Sequence, residues 1–421
     1  MPAPKLNSLL SGATIAGVLG QYFFGFIIEG TGDFLGKNGR VIEFVMEEKI
    51  GGDVPIFSLT FKTLDSSIIS KLNEGARISC WFGKDINQNK YAEMQIQKFN
   101  HSVMDSFYTL VNIKGLIFNG INYLRDNEQK SYPKKTSIEV MKEVASKYFQ
   151  VTVETSETAN DAMNWFRPNH SPHRFLNDVW KRSYLNDNNA LIYAIEMSGK
   201  FLITDINKIS QQKTKWYLKQ FKDGDKVPLN TAAYEPDYTI VSDFGLLNNM
   251  VTNTKITPIH SSTDGAAKKV STPKISPVMV SGGLNISGNS PTKTEIERTV
   301  DTDNFHDNYS KSRLVNIPKV AMLNSLEVEI HILGRWQDYE LLDLIHFTPW
   351  RPTKDPNNSE MNSLGGLYAI TNITRFFANN RAAIKITISK DGINGQTGSL
   401  FGDTPDYLSS LLSPITELLP F

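Results

Sequence analysis

His170 and His173 stand at a His-x-x-His spacing that could hold a divalent metal, but a zinc site needs further protein ligands and none lies nearby in the sequence. Both flank Ser171-Pro172, a helix-start signal, and exposed residues at a helix start need no metal to explain them. Glu327 and Glu329 alternate with Leu326, Val328 and Ile330, so the two carboxylates share one strand face. Neighbouring carboxylates on a strand make a solvated surface as readily as an acid–base pair. Cys80, the one cysteine, lies on the same face as Ile78 and Phe82 and is read as a core thiol. The run from Gly30 to Gly36 misses the dinucleotide fingerprint, because its third glycine comes one place late and strands follow instead of a helix. P-loop, GxSxG, HExxH, Cys-x-x-Cys and kinase signatures are absent from the sequence. No catalytic, cofactor-binding or metal-ligating residue is therefore assigned; the expectation is a non-enzymatic protein without cofactor.

The elements around these residues are mostly strands. Leu326 to Ile332 alternates apolar and polar positions, and Tyr368 to Ile373 does the same. In Ala382 to Ser389, Ile384, Ile386 and Ile388 share one face, after turn residues at Phe377–Arg381. Earlier strands are read at Gln21–Glu29, Arg40–Glu47, Ile56–Lys62, Arg77–Phe82, Tyr91–Phe99 and Phe107–Lys114. The stretch Gly75–Gly115 looks like a second copy of the one ending at Gly392. Both contain an apolar strand, a polar loop, a Tyr-Ala (Tyr91-Ala92, Tyr368-Ala369), a basic-Phe pair (Lys98-Phe99, Arg375-Phe376) and a last strand closing on glycine.

Between the copies the pattern changes. Thr136-Ser137-Ile138-Glu139 is a capping box, opening a helix with Ile138, Met141, Ala145 and Tyr148 on one stripe. Ser171-Pro172 opens another, with Phe175, Leu176, Val179 and Trp180 on one face. LIYAIEM and FLITDI, joined by Ser198-Gly199-Lys200, form a hairpin. Thr252–Thr299 is rich in Ser, Thr, Pro, Gly and Lys and is expected as an extended polar arm held by other subunits.

The expected fold class is α+β and β-rich: two similar small antiparallel β-barrels with an α+β domain between them and extended arms. The expected organisation is an N-terminal arm (1–20), a first barrel (21–120), the α+β domain (121–207), a loop-rich segment with the polar arm (208–320), a second barrel (321–393) and an apolar tail (394–421). The uncharged run Leu6–Ile28 is long enough for a membrane span. Its glycines and Asn7, Ser8, Ser11, Thr14 and Gln21 dilute it, and it is read as an arm leading into a strand. The chain balances 44 basic against 44 acidic residues, so no overall field attracts nucleic acid, and residues 321–421 are mildly acidic. One cysteine rules out an internal disulfide framework.

The segment SPHRFLNDVWKRSYLNDNNALIYAIEMSGKFLITDI, with Phe175-Leu176, Ala190–Met197, Gly199 and Asp205, resembles the helix-then-hairpin segment of phage baseplate hub proteins and of the hub domain of type VI secretion spikes. Asp343-Leu344-Ile345, Tyr368-Ala369-Ile370 and Arg375-Phe376 resemble that family's second barrel. The N-terminal arm, polar arm and apolar tail depart from it. The resemblance implies a structural hub of a contractile tail, located in the virion baseplate and assembled in the host cytoplasm. It would be a homotrimer forming a pseudo-six-fold ring that joins a six-fold tail tube to a three-fold spike and lets DNA pass. The implied partners are further copies of this chain, the tail-tube protein, the central spike and other baseplate proteins (wedge or tube-initiator), with the tape measure protein a further candidate. An acidic C-terminal part facing the lumen would keep DNA from sticking. The alternative reading is a carbohydrate-binding or carbohydrate-active tail-tip protein using aromatics such as Trp336 and Trp350.

Overall fold

The computed structural model describes residues 23–30, 41–64, 67–83, 89–104, 108–219, 231–232, 238–243, 254–260, 270–271, 293–299, 305–324, 326–333, 339–349, 365–378 and 381–391. Arm 1–20, tail 394–421, Trp336 and Trp350 lie outside them.

The first part of the chain forms β1 (Phe23–Ile28), β2 (Val41–Lys49), β3 (Ile56–Thr63), α1 (Ser67–Lys71), β4 (Arg77–Gly83), β5 (Asn89–Met104) and β6 (Tyr108–Ile117). The strands lie in the order β1-β4-β5-β6-β3-β2 and pair antiparallel throughout. Alternation decides which side faces inward. In β3, Phe57, Leu59 and Phe61 are buried while Ile56 and Lys62 are exposed, because successive side chains point to opposite faces of a strand.

The middle part comprises α2 (Gly120–Arg125), β7 (Glu128–Lys135), α3 (Ser137–Ala145), β8 (Gln150–Glu154), β9 (Met163–His170), α4 (Pro172–Arg182), β10 (Leu191–Ile195), β11 (Lys200–Asp205) and α5 (Ile206–Ser210). The capping box at α3 forms: the Thr136 hydroxyl accepts from the Glu139 N–H, and the Glu139 carboxylate accepts from the Thr136 N–H at 2.8 Å. The buried face of α3 carries Val140, Met141, Val144 and Ala145. It is rotated from the expected stripe, leaving Ile138 and Tyr148 half-buried at its margin. On α4, Phe175, Leu176 and Val179 are buried, and the Trp180 indole N–H donates to the Leu191 carbonyl at 2.7 Å. The β10–β11 hairpin turns at Gly199 (φ 83°), and β11 also pairs parallel with β8.

The last part adds β12 (Trp216–Lys219), β13 (Thr231–Ala232), β14 (Tyr238–Asp243), β15 (Thr254–His260), β16 (Val270–Ser271), β17 (Lys293–Thr299), α6 (Tyr309–Leu323), β18 (Leu326–Leu333), β19 (Leu344–Thr348), β20 (Gly366–Ala378) and β21 (Arg381–Lys390). Here β14 pairs β18, β18 pairs β21, β21 pairs β20 and β20 pairs β19, all antiparallel, while β12 joins β19 in parallel. Strand for strand, β12, β14, β18, β19, β20 and β21 repeat the chain order and neighbours of β1, β2, β3, β4, β5 and β6. The outermost pair differs, since β1 is antiparallel to β4.

The class is the expected one, α+β and β-rich with two similar, largely antiparallel repeats. Among the described residues neither repeat closes on itself by hydrogen bonds. Instead β2 pairs with β20, which merges both repeats into a single 13-stranded sheet. One apolar core accordingly runs through both, with Phe24 of β1 stacked on Phe377 of β20 at 5.5 Å, and a separate core fills the middle part. Within the polar arm, β15, β16 and β17 form a three-stranded sheet against α6, and the remainder of 252–299 lies outside the described residues. Short pairing segments such as TKITPIH are masked in composition by the Ser, Pro and Gly around them. Among the described residues, no helix is long and apolar enough to cross a membrane, and Phe23–Ile28 is a sheet strand.

α6 returns late in the chain to clamp the middle part. Asn316 donates to the carbonyls of Trp180 and Ser183, and Lys311 pairs with Asp187 at 2.6 Å. Just before it, His306 is 8% exposed and its Nε2 meets the Arg182 carbonyl at 2.9 Å. Burial pushes its imidazole below the usual histidine value, against the upward pull of Asp161. Burial pushes the Asp161 carboxyl up, although the Ser137 and Tyr184 N–H groups donate to it. A histidine whose folded pKa is depressed contributes stability above its unfolded pKa of about 6.5 and loses it as pH falls through the folded value. The raised Asp161 carboxyl acts oppositely, in a window above its unfolded value of about 3.9. The thermal midpoint of the middle part should therefore drop as pH goes from about 7 to about 5.5, and His306→Gln should flatten that slope. An unchanged slope in the variant would remove His306 from the account.

Candidate assembly interface

The residues singled out for chemistry do not converge. His170 Nδ1 lies 3.8 Å from Asp178, while the His173 ring packs edge-on to Tyr123 at 5.9 Å. Glu329 is engaged by Lys385 at 3.2 Å and His331 at 3.5 Å, and burial raises the Glu327 carboxyl against the pull of Lys49. Cys80 is fully buried beside Met94, and burial pushes its thiol far up. Gly30 closes the turn after β1, and residues 31–36 lie outside the described residues.

What the fold builds instead is a junction on β20. One edge of this strand is divided: Gly366–Ala369 pair with β19, and Asn372–Ala378 pair with β2. The change falls at Thr371, where the pairing with β21 carries a bulge. Thr371 is held there by its hydroxyl, 2.7 Å from the Ser389 hydroxyl, and by its carbonyl, which accepts from the Ile50 N–H at 3.1 Å.

Just past the bulge sits a buried ion pair. Arg375 is 0% exposed and Glu48 2% exposed. The guanidinium donates to Glu48 Oε1 through one nitrogen and to the Tyr339 carbonyl at 2.7 Å through another. Glu48 Oε2 accepts from the Met197 N–H at 2.8 Å, so this carboxylate also fastens the β10–β11 turn of the middle part. Around it, Ile50 bridges Ala194, and the Gly51 N–H donates to the Tyr193 carbonyl at 2.9 Å. Gly52 (φ 81°) lies so close to the Tyr193 ring that a Cβ would sit 2.1 Å from it. Lys90 of β5 and Lys215 hold Glu340 at 3.1 and 3.2 Å, and Lys215 reaches Asp343 at 3.0 Å. Burial alone would raise the Glu340 carboxyl; Lys90 and Lys215 overcome it and hold it at about 2. Glu196 faces the same cavity of about 200 Å³, and its carboxyl is raised by burial. Three parts of the chain thus meet in one charged seam.

The second feature is a sheet face. From β5 through β6, β3, β2, β20, β21 and β18 to β14 the sheet is continuous and antiparallel. Its outward side carries Lys49, Lys62, Lys98, Lys114 and Lys385 against Glu43, Glu47, Glu327 and Glu329. Among the described side chains that face is close to neutral. A separate groove of about 690 Å³ beside β9, α4 and α6 is lined by Phe166, Tyr309, Ile317 and the cations Lys181 and Arg313.

Sequence reasoning reached the repeat but in another register. The bulge in β5 falls at Gln97, six residues after Tyr91, whereas Thr371 comes three after Tyr368. Lys98 is exposed and Arg375 fully buried, so these two basic residues are not counterparts. Gly115 lies inside β6, where a Cβ would meet the Gln95 carbonyl oxygen at 2.0 Å. The signal that could have found the site is a lone arginine inside the apolar run ITNITRFF together with a glutamate in a strand that has apolar neighbours.

Two strand repeats joined by the pairing of β2 with β20, with an α+β insertion, superpose on solved tail proteins from bacteria. The solved tail protein from Neisseria meningitidis MC58 superposes with a TM-score of 0.58 at 10% identity, covering 89% of this chain and 98% of that one. The 43 kDa tail protein of prophage MuSo2 from Shewanella oneidensis superposes at 0.55 with 12% identity, covering 88% and 99%. No family model and no curated protein sequence matches the chain.

Removing one partner of a buried ion pair leaves a desolvated charge and costs about 3–5 kcal/mol, whereas replacing both with apolar groups of similar volume is close to neutral. Arg375→Ala should therefore lower the urea midpoint strongly. The Glu48→Leu/Arg375→Met double variant should recover much of the loss, less what the unpaired Met197 N–H costs. Additive losses in the double variant would show that the two groups do not act as a pair.

Proposed function

We propose that this chain is a structural hub of a contractile phage-tail baseplate: a homotrimer whose two repeats present six near-equivalent units, joining a six-fold tail tube to a three-fold central spike. The observation that carries this reading is the strand-for-strand repeat fused through β2 and β20, because three copies of a twice-repeated sheet approximate six-fold symmetry. The division into arms, barrels and α+β domain at 20, 120, 207, 320 and 393 is proposed with it.

In such a ring the outward face of the eight-strand sheet lines the lumen. Its interspersed lysines and glutamates give it little net field, which suits DNA that must pass without being held. The partners are further copies of the chain, the tail-tube protein, the spike and other baseplate proteins, with the tape measure protein along the axis. The location is the virion tail after assembly in the host cytoplasm, and the role is non-enzymatic. The fold shared with solved tail proteins supports the tail assignment.

Purified full-length chain should sediment as three copies and bind tail-tube protein, and averaged images of the particle should show three-fold symmetry with six similar lobes. A species that stays monomeric at micromolar concentration, with and without tail-tube protein, would overturn the proposal.

A further inference from the structure

The junction on β20 has a counterpart on β5, and the counterpart is open. In β5 the edge facing β4 is paired over Asn89–Gln95, and the bulge follows at Gln97. Beyond the bulge, Lys98–Met104 pair with β6 on one side, and no strand among the described residues takes the other. In β20 the stretch beyond the Thr371 bulge, Asn372–Ala378, pairs with β21 on one side and β2 on the other. The two stretches are equal in length and run to the tips of equivalent hairpins.

Counting from the two bulges, Val103 corresponds to Phe377, His101 to Arg375 and Phe99 to Ile373. Exposure then differs as a missing strand would make it differ. Phe377 is 3% exposed and Val103 is 75% exposed; Met104, at the hairpin tip, is 48% exposed. Arg375 is buried while His101 is exposed. An uncovered edge with apolar side chains is a template for another strand.

The structure also supplies that strand. β14 is the counterpart of β2: the buried Phe57, Leu59 and Phe61 of β3 match Val328, Ile330 and Ile332 of β18, and β14 runs along β18 as β2 runs along β3. Among the described strands, β14 pairs with β18 only. Resting on the trimer reading above, we propose that β14 of one copy pairs antiparallel with Lys98–Met104 of the next. The register repeats β2 on β20: Tyr238 opposite Val103, Thr239 opposite Ser102 and Ile240 opposite His101. Asp243 then takes the strand position of Glu48, as His101 takes that of Arg375. The contact joins unlike surfaces head to tail, so successive copies form a ring where the rotation closes.

Ser102 and Thr239 are both exposed, which makes them suited to cysteine pairing. With the buried Cys80 left in place, Ser102→Cys/Thr239→Cys oxidised with diamide should give covalent trimers on non-reducing gels. Mixed single variants should stop at covalent dimers. His101→Cys/Thr239→Cys, whose side chains would leave opposite faces, should not link. In the unmodified protein, the amides of Lys98–Met104 that do not bond to β6 should be protected from hydrogen exchange in the trimer and lose at least tenfold in protection on dissociation. Trimers without the cross-link or the protection would overturn the strand pairing and leave the hub reading standing. Linkage through His101→Cys would overturn the register. A chain that never exceeds a monomer would overturn both.

Discussion

The edge of β20 is the constraint on which the rest of the structure depends. A strand has two edges, and β20 must serve three neighbours, so one edge is shared between β19 and β2. The bulge at Thr371 makes that possible by re-aiming the strand at the point of exchange. Arg375 and Glu48 then fix which residues meet. Each charge alone would cost several kcal/mol to desolvate, so a slip of one residue, which would send the two groups to opposite faces, is strongly disfavoured. The apolar contacts around them, such as Phe24 on Phe377, tolerate sliding far better than the ion pair does.

The same carboxylate ties the middle part to this seam. Glu48 uses one oxygen for Arg375 and the other for the Met197 N–H, so the orientation of the β10–β11 hairpin is set by the pairing of β2 with β20. At the opposite side α6, which follows the polar segment, seals the middle part through Asn316 and Lys311. A piece of chain late in the sequence therefore completes a fold unit begun near residue 120. Chain order and spatial order diverge, and the second repeat takes β12 and β14, with β13 beside β12, from the segment 208–320.

Much of the fold was legible because its signals are local. Alternation in β3, β18 and β21, the capping box at Thr136 and the Ser171-Pro172 start each follow from geometry within a few residues. α6 was not legible, since Pro318 lies inside it and buried polar residues Ser312, Asn316 and Lys319 break its apolar stripe. Asn316 is inward because its partners, the carbonyls of Trp180 and Ser183, lie more than a hundred residues earlier, while the Ser312 hydroxyl donates to the Tyr309 carbonyl within the helix. The ion pair was hidden for the same reason, its two residues being separated by most of the chain.

The repeat shows why residue matching between halves misled. What the two copies share is the position of a bulge, the length of the hairpin beyond it and the inward face of each strand. None of these requires the same residue. Gln97 and Thr371 both form bulges, Phe57 and Val328 both fill a core, and Tyr-Ala pairs fall out of register without consequence. Backbone pairing sets edge geometry, and side chains need only be apolar inward and compatible with their neighbours. A protein selected to offer equivalent edges can therefore diverge in sequence between its halves, and from proteins of the same fold, while the pairing scheme persists. The 10% and 12% identities to tail proteins superposed over nearly the whole chain fit that behaviour. They place the information in strand lengths and bulges, where a residue-by-residue comparison does not look.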